Sequence, residues 1–304
     1  MKHKILGIGE VLWDMLPSGK QMGGAPANFA FHARSMGADA LIVSRVGDDA
    51  LGREIIERLF ALGVPTCAVS LDASHPTGTV DVELAADGQP RYIIHEGVAW
   101  DHLIPDAVES AAEADALCFG TLAQRCETSR AAIRAMVEAS KSGALRIFDV
   151  NLRQDFYSRE VIADSLQLAN VLKLNDAELP VLSELLGLRA TEPKDQIAEL
   201  TKRYGLRLVA YTRGVHGSWL YDGSRWSEHP GVRAKVKDTI GAGDSFTAAV
   251  TMGMLLGWPI DRISEIANQV AAYVCSCEGG TPPLPENLRN EFESSLNAAQ
   301  PQHA

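Results

Sequence analysis

Short apolar runs alternate along this chain with longer segments in which apolar residues recur every three to four positions. The runs predict buried strands over residues 4–9, 40–46, 116–120, 146–150 and 170–174 and a strand ending near 211. The longer segments predict helices near residues 50–62, 127–142, 158–167 and 176–204. Strands and helices that alternate in this way predict an α/β fold, in which a mostly parallel sheet carries helices on both faces as a three-layer α/β/α domain.

The pattern changes to a period of two between residues 79 and 95. Polar and apolar residues alternate from Thr79 to Leu84, Asp87 and Gly88 mark a turn, and the chain returns from Arg91 to His95. We expect this hairpin to form a small projecting β-sheet, completed by the stretch from 11 to 16, that acts as a lid over the pocket or pairs with the same sheet of a second subunit as a homodimer.

This interpretation divides the chain into a core and a lid. The predicted core comprises residues 1–10, 25–65 and 99–297, and the predicted lid comprises residues 11–24 and 66–98. Residues 298–304 are expected to form a flexible tail.

Composition and charge narrow the function. The chain has 304 residues, of which 46% are hydrophobic and 22% charged, as is typical of a folded globular protein. Its 28 Lys and Arg residues against 39 Asp and Glu give a net charge of -11, which disfavours binding to nucleic acid or to an anionic membrane. The first residues lack the apolar core of a signal peptide, and no apolar run is long enough to span a bilayer, so a cytoplasmic location is predicted.

A glycine-rich turn, Gly241-Ala242-Gly243-Asp244, leads directly into a sequence with helical spacing. Small residues leave main-chain N–H groups accessible, and the first N–H groups of a helix lack partners and carry partial positive charge, so the turn predicts a phosphate-binding cradle. A carboxylate at the same place can accept a proton from an attacking hydroxyl, as phosphoryl transfer to an alcohol requires. The alternative is that Asp244 only caps the helix.

Further polar residues follow the predicted strands. The carboxyl ends of parallel strands meet at one edge of a sheet, where ligands bind in open α/β folds. The residues at these ends are suited to phosphate and metal binding: Asp149, Asn151, Arg153, Lys173, Asn175, Glu178, Thr212, Arg213 and Gly214. A second glycine pair, Gly23-Gly24, precedes another predicted helix.

The sequence lacks the motifs of several other enzyme classes. No Walker A sequence occurs, Gly7-Ile8-Gly9 lacks the third glycine of a dinucleotide-binding oxidoreductase, and neither a Gly-x-Ser-x-Gly nor a His-Glu-x-x-His sequence is present. Five scattered cysteines without a Cys-x-x-Cys pair suggest neither a disulfide framework nor a zinc site.

The two glycine segments, in this order, resemble the two signatures of the ribokinase-like (PfkB) carbohydrate kinases. The first is Gly-Gly-Ala-Pro-Ala-Asn at 23–28 and the second is Asp-Thr-Ile-Gly-Ala-Gly-Asp at 238–244. Between them Asn175-Asp176-Ala177-Glu178 resembles the family's Asn-x-x-Glu motif, and Thr212-Arg213-Gly214 resembles its nucleotide-binding Thr-x-Gly. The similarity covers almost the whole chain and implies a ribokinase-like fold.

The resemblance implies roles for individual residues. Asp244 would be the catalytic base. The main-chain amides of Gly241, Ala242, Gly243 and Asp244 would form the anion hole. The residues implied to bind the sugar are Asp14, Gly24, Asn28 and Arg153. Those implied to bind ATP are Asn175, Thr212, Gly214 and Asn268. Glu178 would hold Mg²⁺ through water, and a monovalent cation, K⁺ in relatives, would lie at Asp238, Ile240, Val274, Cys277 and Gly279.

The acceptor is predicted to be a primary hydroxyl of fructose. Gly-Glu-Val-Leu-Trp-Asp at 9–14, Ala25-Pro26, Asp-Val-Asn-Leu-Arg at 149–153, and Gln124-Arg125, expected to face the acceptor, resemble the fructokinase branch. A 2-keto-3-deoxygluconate kinase is the alternative, because Arg153 could bind a substrate carboxylate. A non-catalytic sugar or nucleotide sensor on the same fold is the alternative from a different class.

Overall fold

The computed structural model describes residues 2–84 and 90–298, with the main chain alone for 82–84, 90 and 91. The predicted turn at Asp87 and Gly88 and residues 299–304 of the predicted tail lie outside the described residues. The strands are β1 (Lys4–Ile8), β2 (Leu12–Leu16), β3 (Gly19–Gly23), β4 (Asp39–Gly47), β5 (Val69–Asp72), β6 (Thr79–Leu84), β7 (Pro90–Ile94), β8 (Ala116–Phe119), β9 (Leu145–Asp149), β10 (Val171–Asn175), β11 (Leu208–Thr212), β12 (Ser218–Tyr221) and β13 (Trp226–His229).

The described helices flank these strands, and each predicted helix is present within a few residues of its predicted bounds. They are α1 (Ala25–Ser35), α2 (Ala50–Ala61), α3 (Val108–Glu113), α4 (Glu127–Ala139), α5 (Arg159–Leu168), α6 (Glu178–Leu186), α7 (Pro193–Tyr204), α8 (Ala242–Leu255), α9 (Ile260–Cys275) and α10 (Glu286–Ala298). None of them is both long and apolar enough to cross a bilayer.

Nine strands form the large sheet in the order β13-β12-β11-β10-β9-β8-β1-β4-β5. The seven strands from β11 to β5 are parallel, and β12 and β13 continue the sheet as an antiparallel edge. All carboxyl ends of the parallel strands therefore lie along one edge of the sheet, where the predicted site residues are expected.

Helices cover both faces of this sheet and bury two apolar cores. One core joins α1, α2, α8, α9 and α10 to one face and includes Phe29, Phe246 and Phe292. The other joins α3 to α7 to the opposite face and includes Ile133 and Phe148. Both cores contain residues at alternate positions of the same strands, as expected for a sheet buried on both sides, and the predicted three-layer α/β/α fold is confirmed.

A separate four-stranded sheet has the order β3-β2-β6-β7 and confirms the predicted small β-sheet. The predicted hairpin forms β6 and β7, and β2 joins it by parallel pairing from Trp13 to Met15. The segment 19–23 adds a fourth strand, β3, paired with β2. We call the sheet of β2, β3, β6 and β7 the lid.

One strand within the range assigned to the lid belongs to the large sheet. Residues 69–72, inside the predicted lid segment 66–98, form β5, which pairs in parallel with β4 from Ser44 to Gly47. The chain therefore continues the β/α series for one more strand before it returns to the lid after residue 72.

Candidate active site

The glycine-rich turn begins α8, as the sequence predicts. Gly241 precedes the helix with a φ of 74°, and a Cβ there would overlap the main chain of Gly280. The N–H of Ser245 bonds the carbonyl of Gly241 at 2.8 Å, so the N–H groups of Gly243 and Asp244 lie in the first turn, before the intrahelical bonds begin. These two N–H groups and the helix dipole make the turn a binding site for an anion.

Asp244 lies in the first turn of α8 and is held from across the chain. Its Oδ2 accepts a hydrogen bond of 2.8 Å from Nδ2 of Asn28, which lies in the first turn of α1. Burial raises the pKa of Asp244 to about 6, and the nearby Asp149 charge adds to the rise while the Asn28 bond opposes it. A carboxylate with this pKa is ionised at neutral pH yet basic enough to accept a proton.

A buried ion pair lies beneath the turn. Nζ of Lys173, in the middle of β10, is 2.9 Å from Oδ1 of Asp149 at the end of β9, and Oδ2 of Asp149 accepts a 2.9 Å bond from Thr247 of α8. Burial alone would lower the pKa of Lys173, but the Asp149 charge raises it above its ordinary range, so the ammonium stays charged. A Cβ at Gly243 would be only 3.2 Å from Nζ, so the ammonium adjoins the turn.

A cleft of about 310 Å³, including the part open to solvent, lies in front of Asp244. The residues that line it include Glu10, Pro26, Phe29, Leu122, Asp149, Asn151 and Asp244. Burial raises the pKa of Glu10 to about 7 and that of Asp14, on β2 of the lid, to about 6, and the Arg153 charge lowers both. Arg153 itself is exposed. The structure thus brings together four residues predicted from the sequence: Asp14, Asn28, Arg153 and Asp244. Gly24 lies beside them, because its carbonyl accepts the N–H of Asn28.

Glu178 and Asn175 form a compact unit where β10 leads into α6. The Glu178 carboxylate is buried and accepts main-chain N–H groups from Asn175 at 2.8 Å and from Leu152 at 3.0 Å. The Asn175 side chain accepts the N–H groups of Ala177 and Glu178 at 2.9 Å. Burial raises the pKa of Glu178, and Lys173 opposes the rise. The motif therefore links the start of α6 to the loop after β9.

The predicted nucleotide residues lie farther along the same edge. Thr212 ends β11 next to Asn175 on β10, and Gly214 follows with a φ of 52°. Asn268 of α9 is buried, and its Nδ2 donates to Ser218 Oγ and to the Ser264 carbonyl, each at 2.7 Å. Its amide nitrogen is thus bound within the protein.

The two loops predicted to bind a monovalent cation lie next to each other. The carboxylate of Asp238 accepts the N–H of Ile240 at 3.0 Å and that of Gly279 at 3.1 Å. The N–H of Cys277 bonds the Val274 carbonyl at 3.0 Å at the end of α9. The loop before α8 and the loop after α9 are therefore joined. Among the described residues, no three His, Cys, Asp or Glu side chains form a cluster that could hold a metal ion by themselves.

Comparison with known proteins places this arrangement in a family. The family model described as pfkB family carbohydrate kinase matches residues 18–287. The chain belongs to this family of carbohydrate kinases. The ribokinase-like fold and the kinase class predicted from the glycine segments are thereby confirmed.

Relatives named as sugar kinases match the kinase along almost its full length. It is 29% identical to a putative sugar kinase of Pyrococcus horikoshii over 94% of both chains, and 29% identical to a fructokinase of Klebsiella pneumoniae over 97% of this chain and 100% of the relative. A crystal structure of a sugar kinase from Pyrococcus horikoshii has a TM-score of 0.81 at 27% identity, covering 96% of this chain and 97% of that one. A fructokinase structure from Xylella fastidiosa has a TM-score of 0.83 at 22% identity, covering 98% and 99%, and shares the fold.

Two features of the kinase's site differ from what the sequence indicated. Gln124 does not face the cleft, because its Nε2 bonds the Gly120 carbonyl and Ser165 Oγ at 2.8 and 2.9 Å. Arg125 points toward Asp101. Glu10, by contrast, lines the cleft although no sequence motif gives it a role; the one signal for it in the sequence is a charged residue just after the apolar run of β1.

Proposed function

We propose that the kinase transfers the γ-phosphoryl group of ATP to a primary hydroxyl of fructose, with Asp244 as the catalytic base. The observation that supports this most directly is the position of Asp244. Its carboxylate lies beside the first N–H groups of α8, faces the cleft, and is oriented by the 2.8 Å bond from Asn28. A proton acceptor and an anion site are thus held side by side on one rigid helix.

The chemistry follows from these two groups. The ionised Asp244 takes the proton of the sugar hydroxyl as its oxygen attacks phosphorus, and the bond from phosphorus to the leaving ADP oxygen breaks. The N–H groups of Gly243 and Asp244, with that of Gly241 beside them, stabilise the negative charge on the transferring group. The N–H of Ala242 donates to the Thr239 carbonyl at 3.3 Å. The Lys173 ammonium adds positive charge next to Gly243.

ATP and Mg²⁺ fit the edge of the sheet beyond β10 and β11. Mg²⁺ commonly keeps several waters and uses one or two carboxylates with substrate phosphates, which suits the single buried carboxylate of Glu178 near Asp149. Bound there, Mg²⁺ would neutralise charge on the ATP phosphates. Asn175, Thr212 and Gly214 would contact the phosphates and ribose, and Asn268 would lie on the adenine side. A Pyrococcus horikoshii relative has been crystallised with ATP.

A monovalent cation, K⁺, fits the joined loops of Asp238 and Gly279. The Asp238 carboxylate accepts two N–H groups and keeps lone pairs that a cation can share. The carbonyls of Ile240, Val274, Cys277 and Gly279 would complete the site. A cation there would fix the loop that precedes the anion hole.

Fructose is favoured as the acceptor because the curated relatives include fructokinases along the full chain. Asp14, Gly24, Asn28 and Arg153 would bind its hydroxyls. The alternative acceptor, 2-keto-3-deoxygluconate, is favoured by one observation: the exposed Arg153 guanidinium is near enough to Glu10, Asp14 and Asp244 for its charge to lower their pKa values, and it is not paired with a carboxylate at salt-bridge distance among the described residues. It could therefore bind an acidic sugar.

The test is a steady-state assay of wild-type protein and of Asp244→Asn with ATP against fructose, ribose, 2-keto-3-deoxygluconate and adenosine. We expect fructose to give the highest kcat/KM, rising with pH through about 6 as Asp244 ionises, and Asp244→Asn to lower kcat by about 1000-fold while still binding ATP. Asp261→Asn, a matched change at an exposed site on α9, should leave kcat unchanged.

Three results would contradict the proposal. Near-normal turnover by Asp244→Asn would exclude this residue as the base. A higher kcat/KM with 2-keto-3-deoxygluconate than with fructose would show that the keto-deoxy acid is the acceptor. ATP binding without ADP production with any sugar would favour the sensor.

A further inference from the structure

Arg125 is charged yet almost wholly buried beneath the lid. Its Nε and Nη2 donate to the two carboxylate oxygens of Asp101 at 2.7 and 2.8 Å, and the two side chains are 6% and 4% exposed. The planar guanidinium also lies against two rings, 4.0 Å from the centre of Trp100 and 4.6 Å from that of Phe156. Only arginine can satisfy a bidentate pair and stack on rings at once, so the site is specific for this side chain.

The ion pair of Arg125 and Asp101 is hydrogen-bonded to residues 95–98, the segment through which the chain leaves the lid. Nη2 of Arg125 also donates to the carbonyl of His95, the residue after β7, at 2.6 Å. Oδ2 of Asp101 accepts the N–H groups of Gly97 and Val98 at 2.9 and 3.2 Å. The exit from the lid is therefore bonded to both members of the pair.

The segment just before β6, through which the chain returns to the lid, packs on the same cluster of Arg125, Asp101 and Trp100. The indole of Trp100 lies so close to Gly78 that a Cβ there would overlap its Nε1. Gly78 in turn accepts the N–H of Trp13 in β2 at 3.0 Å, and the N–H of Ala99 bonds the Pro76 carbonyl at 2.8 Å. The segments before β6 and after β7 are thus held by the same cluster of side chains.

The third neighbour is the loop that carries Arg153. Phe156, which stacks on Arg125, donates its N–H to the Arg153 carbonyl at 3.1 Å, and Nε2 of Gln154 donates to the Tyr92 carbonyl in β7 at 2.6 Å. Asn151 and Gln154 have φ angles of 42° and 47°, which are unfavourable for residues other than glycine. Contacts from outside the loop must therefore maintain its shape.

We propose that Arg125 is a positioning residue of the kinase, which sets the position of Arg153 and of the lid relative to the cleft. The inference rests on the proposed function, in which Arg153 and the lid residue Asp14 bind the sugar. Arg125 contacts neither of them. It acts on Arg153 through Phe156, and on the lid through His95.

The first test is Arg125→Lys, which keeps the charge opposite Asp101 but loses the second hydrogen bond and the stacking. We expect KM for the sugar to rise about 10-fold, which corresponds to one lost charge-assisted hydrogen bond, and KM for ATP to change less than about twofold. The matched control is Arg134→Lys on α4, whose partner Asp164 is at the surface, and it should change neither constant. Equal losses for sugar and ATP would indicate a merely structural role and overturn the proposal.

The second test asks whether Arg125 acts through Arg153. In an Arg153→Ala background, Arg125→Lys should raise KM for the sugar by clearly less than the 10-fold expected in wild type, because one of the two groups that it positions is gone and only its effect through the lid remains. A full additional 10-fold rise would show that the two residues act independently. Should Arg125→Lys fold poorly, Gln154→Ala, which removes only the bond to Tyr92, is expected to raise the same KM and leave thermal stability unchanged.

Hydrogen exchange tests the coupling without turnover. In Arg125→Lys, the amides of residues 92–98 and 151–157 should exchange faster than in wild type, while those of β8 to β11 should not change. Unchanged exchange in both segments would overturn the proposal. If the wild-type enzyme phosphorylates none of the sugars, the proposed function fails, and the exchange result still decides whether Arg125 holds the lid and the loop.

Discussion

The carboxyl group of Glu10 borders the acceptor cleft and is 4% exposed. Burial raises its pKa from 4.5 to about 7, so between these values the folded protein holds a proton that the unfolded chain has lost. Stability therefore decreases as pH rises through this window, and ionised Glu10 costs on the order of 3 kcal/mol above pH 7.

We accordingly expect Glu10→Gln to be more stable than wild type at pH 8 by up to about 3 kcal/mol, with little difference near pH 4.5. Urea unfolding at both pH values measures this difference. Glu57→Gln, at an exposed position of α2, is the control and should show no such pH dependence. A stability difference that is the same at both pH values would contradict the assigned burial of the charge.

Single residues were predictable where a local motif identifies them. Asp244 and Asn28 each belong to a glycine segment that is visible in the sequence, and the family comparison supports those segments. The pairing of Lys173 with Asp149 and the burial of Glu10 depend on which strands are neighbours, which no local pattern contains. The sequence placed Lys173 and Asp149 at the edge of the sheet but could not show that they neutralise each other.

At the level of elements, the start of α8 combines a left-handed residue with a close main-chain approach. Gly241 and Gly257 flank this helix with φ angles of 74° and 68°, but only Gly241 has another chain segment, Gly280, where a Cβ would lie. The two glycines are therefore a matched pair for separating the cost of the backbone angle from the cost of displacing the turn.

We expect Gly257→Ala to lose about 1 kcal/mol of stability and to keep its kcat, because only the left-handed angle is penalised. Gly241→Ala should lose more stability and about 100-fold in kcat, since moving the turn misplaces the anion hole. Chemical unfolding and steady-state kinetics on both variants measure this. Equal kcat values would show that the turn tolerates displacement.

The strands that sequence patterns missed are short or polar. β3 contains Gly19, Lys20 and Gln21 and is a strand only because it pairs with β2. β12 and β13 have four residues each and are held by the edge of the sheet, and β5 is equally short. Long buried runs such as β4 were predictable because burial on both faces leaves a continuous apolar signal.

At the level of the whole molecule, the lid leaves apolar side chains in solvent. Met15 of β2 is 37% exposed, and Ile93 of β7, which lies on the same face through the pairs Met15–Asp81 and Asp81–Ile93, is partly exposed. Along β2, Met15 lies on the face opposite Asp14, so a partner covering Met15 would leave the cleft side free. We propose that a second copy of the chain packs on this face and forms a homodimer through the lid.

Sedimentation equilibrium should therefore give twice the chain mass of 32.7 kDa, and Met15→Glu should shift the mass toward that of one chain. Phe60→Glu, which changes a residue that is 77% exposed on α2 outside the lid, should leave the mass unchanged. A monomeric wild-type protein, or dissociation caused by Phe60→Glu instead, would exclude the lid interface.

The bond between Asn28 and Asp244 joins residues 216 positions apart, and the bond between His32 and the Gly280 carbonyl spans 248. During synthesis at 5–20 residues per second, the ribosome needs roughly 10 to 50 seconds to make the chain between the first and last of these residues. For most of that time α1 lacks α8, the helix against which it packs, and no catalytic centre exists. The nascent protein therefore cannot gain its activity before α8 and the turn after α9 have been made.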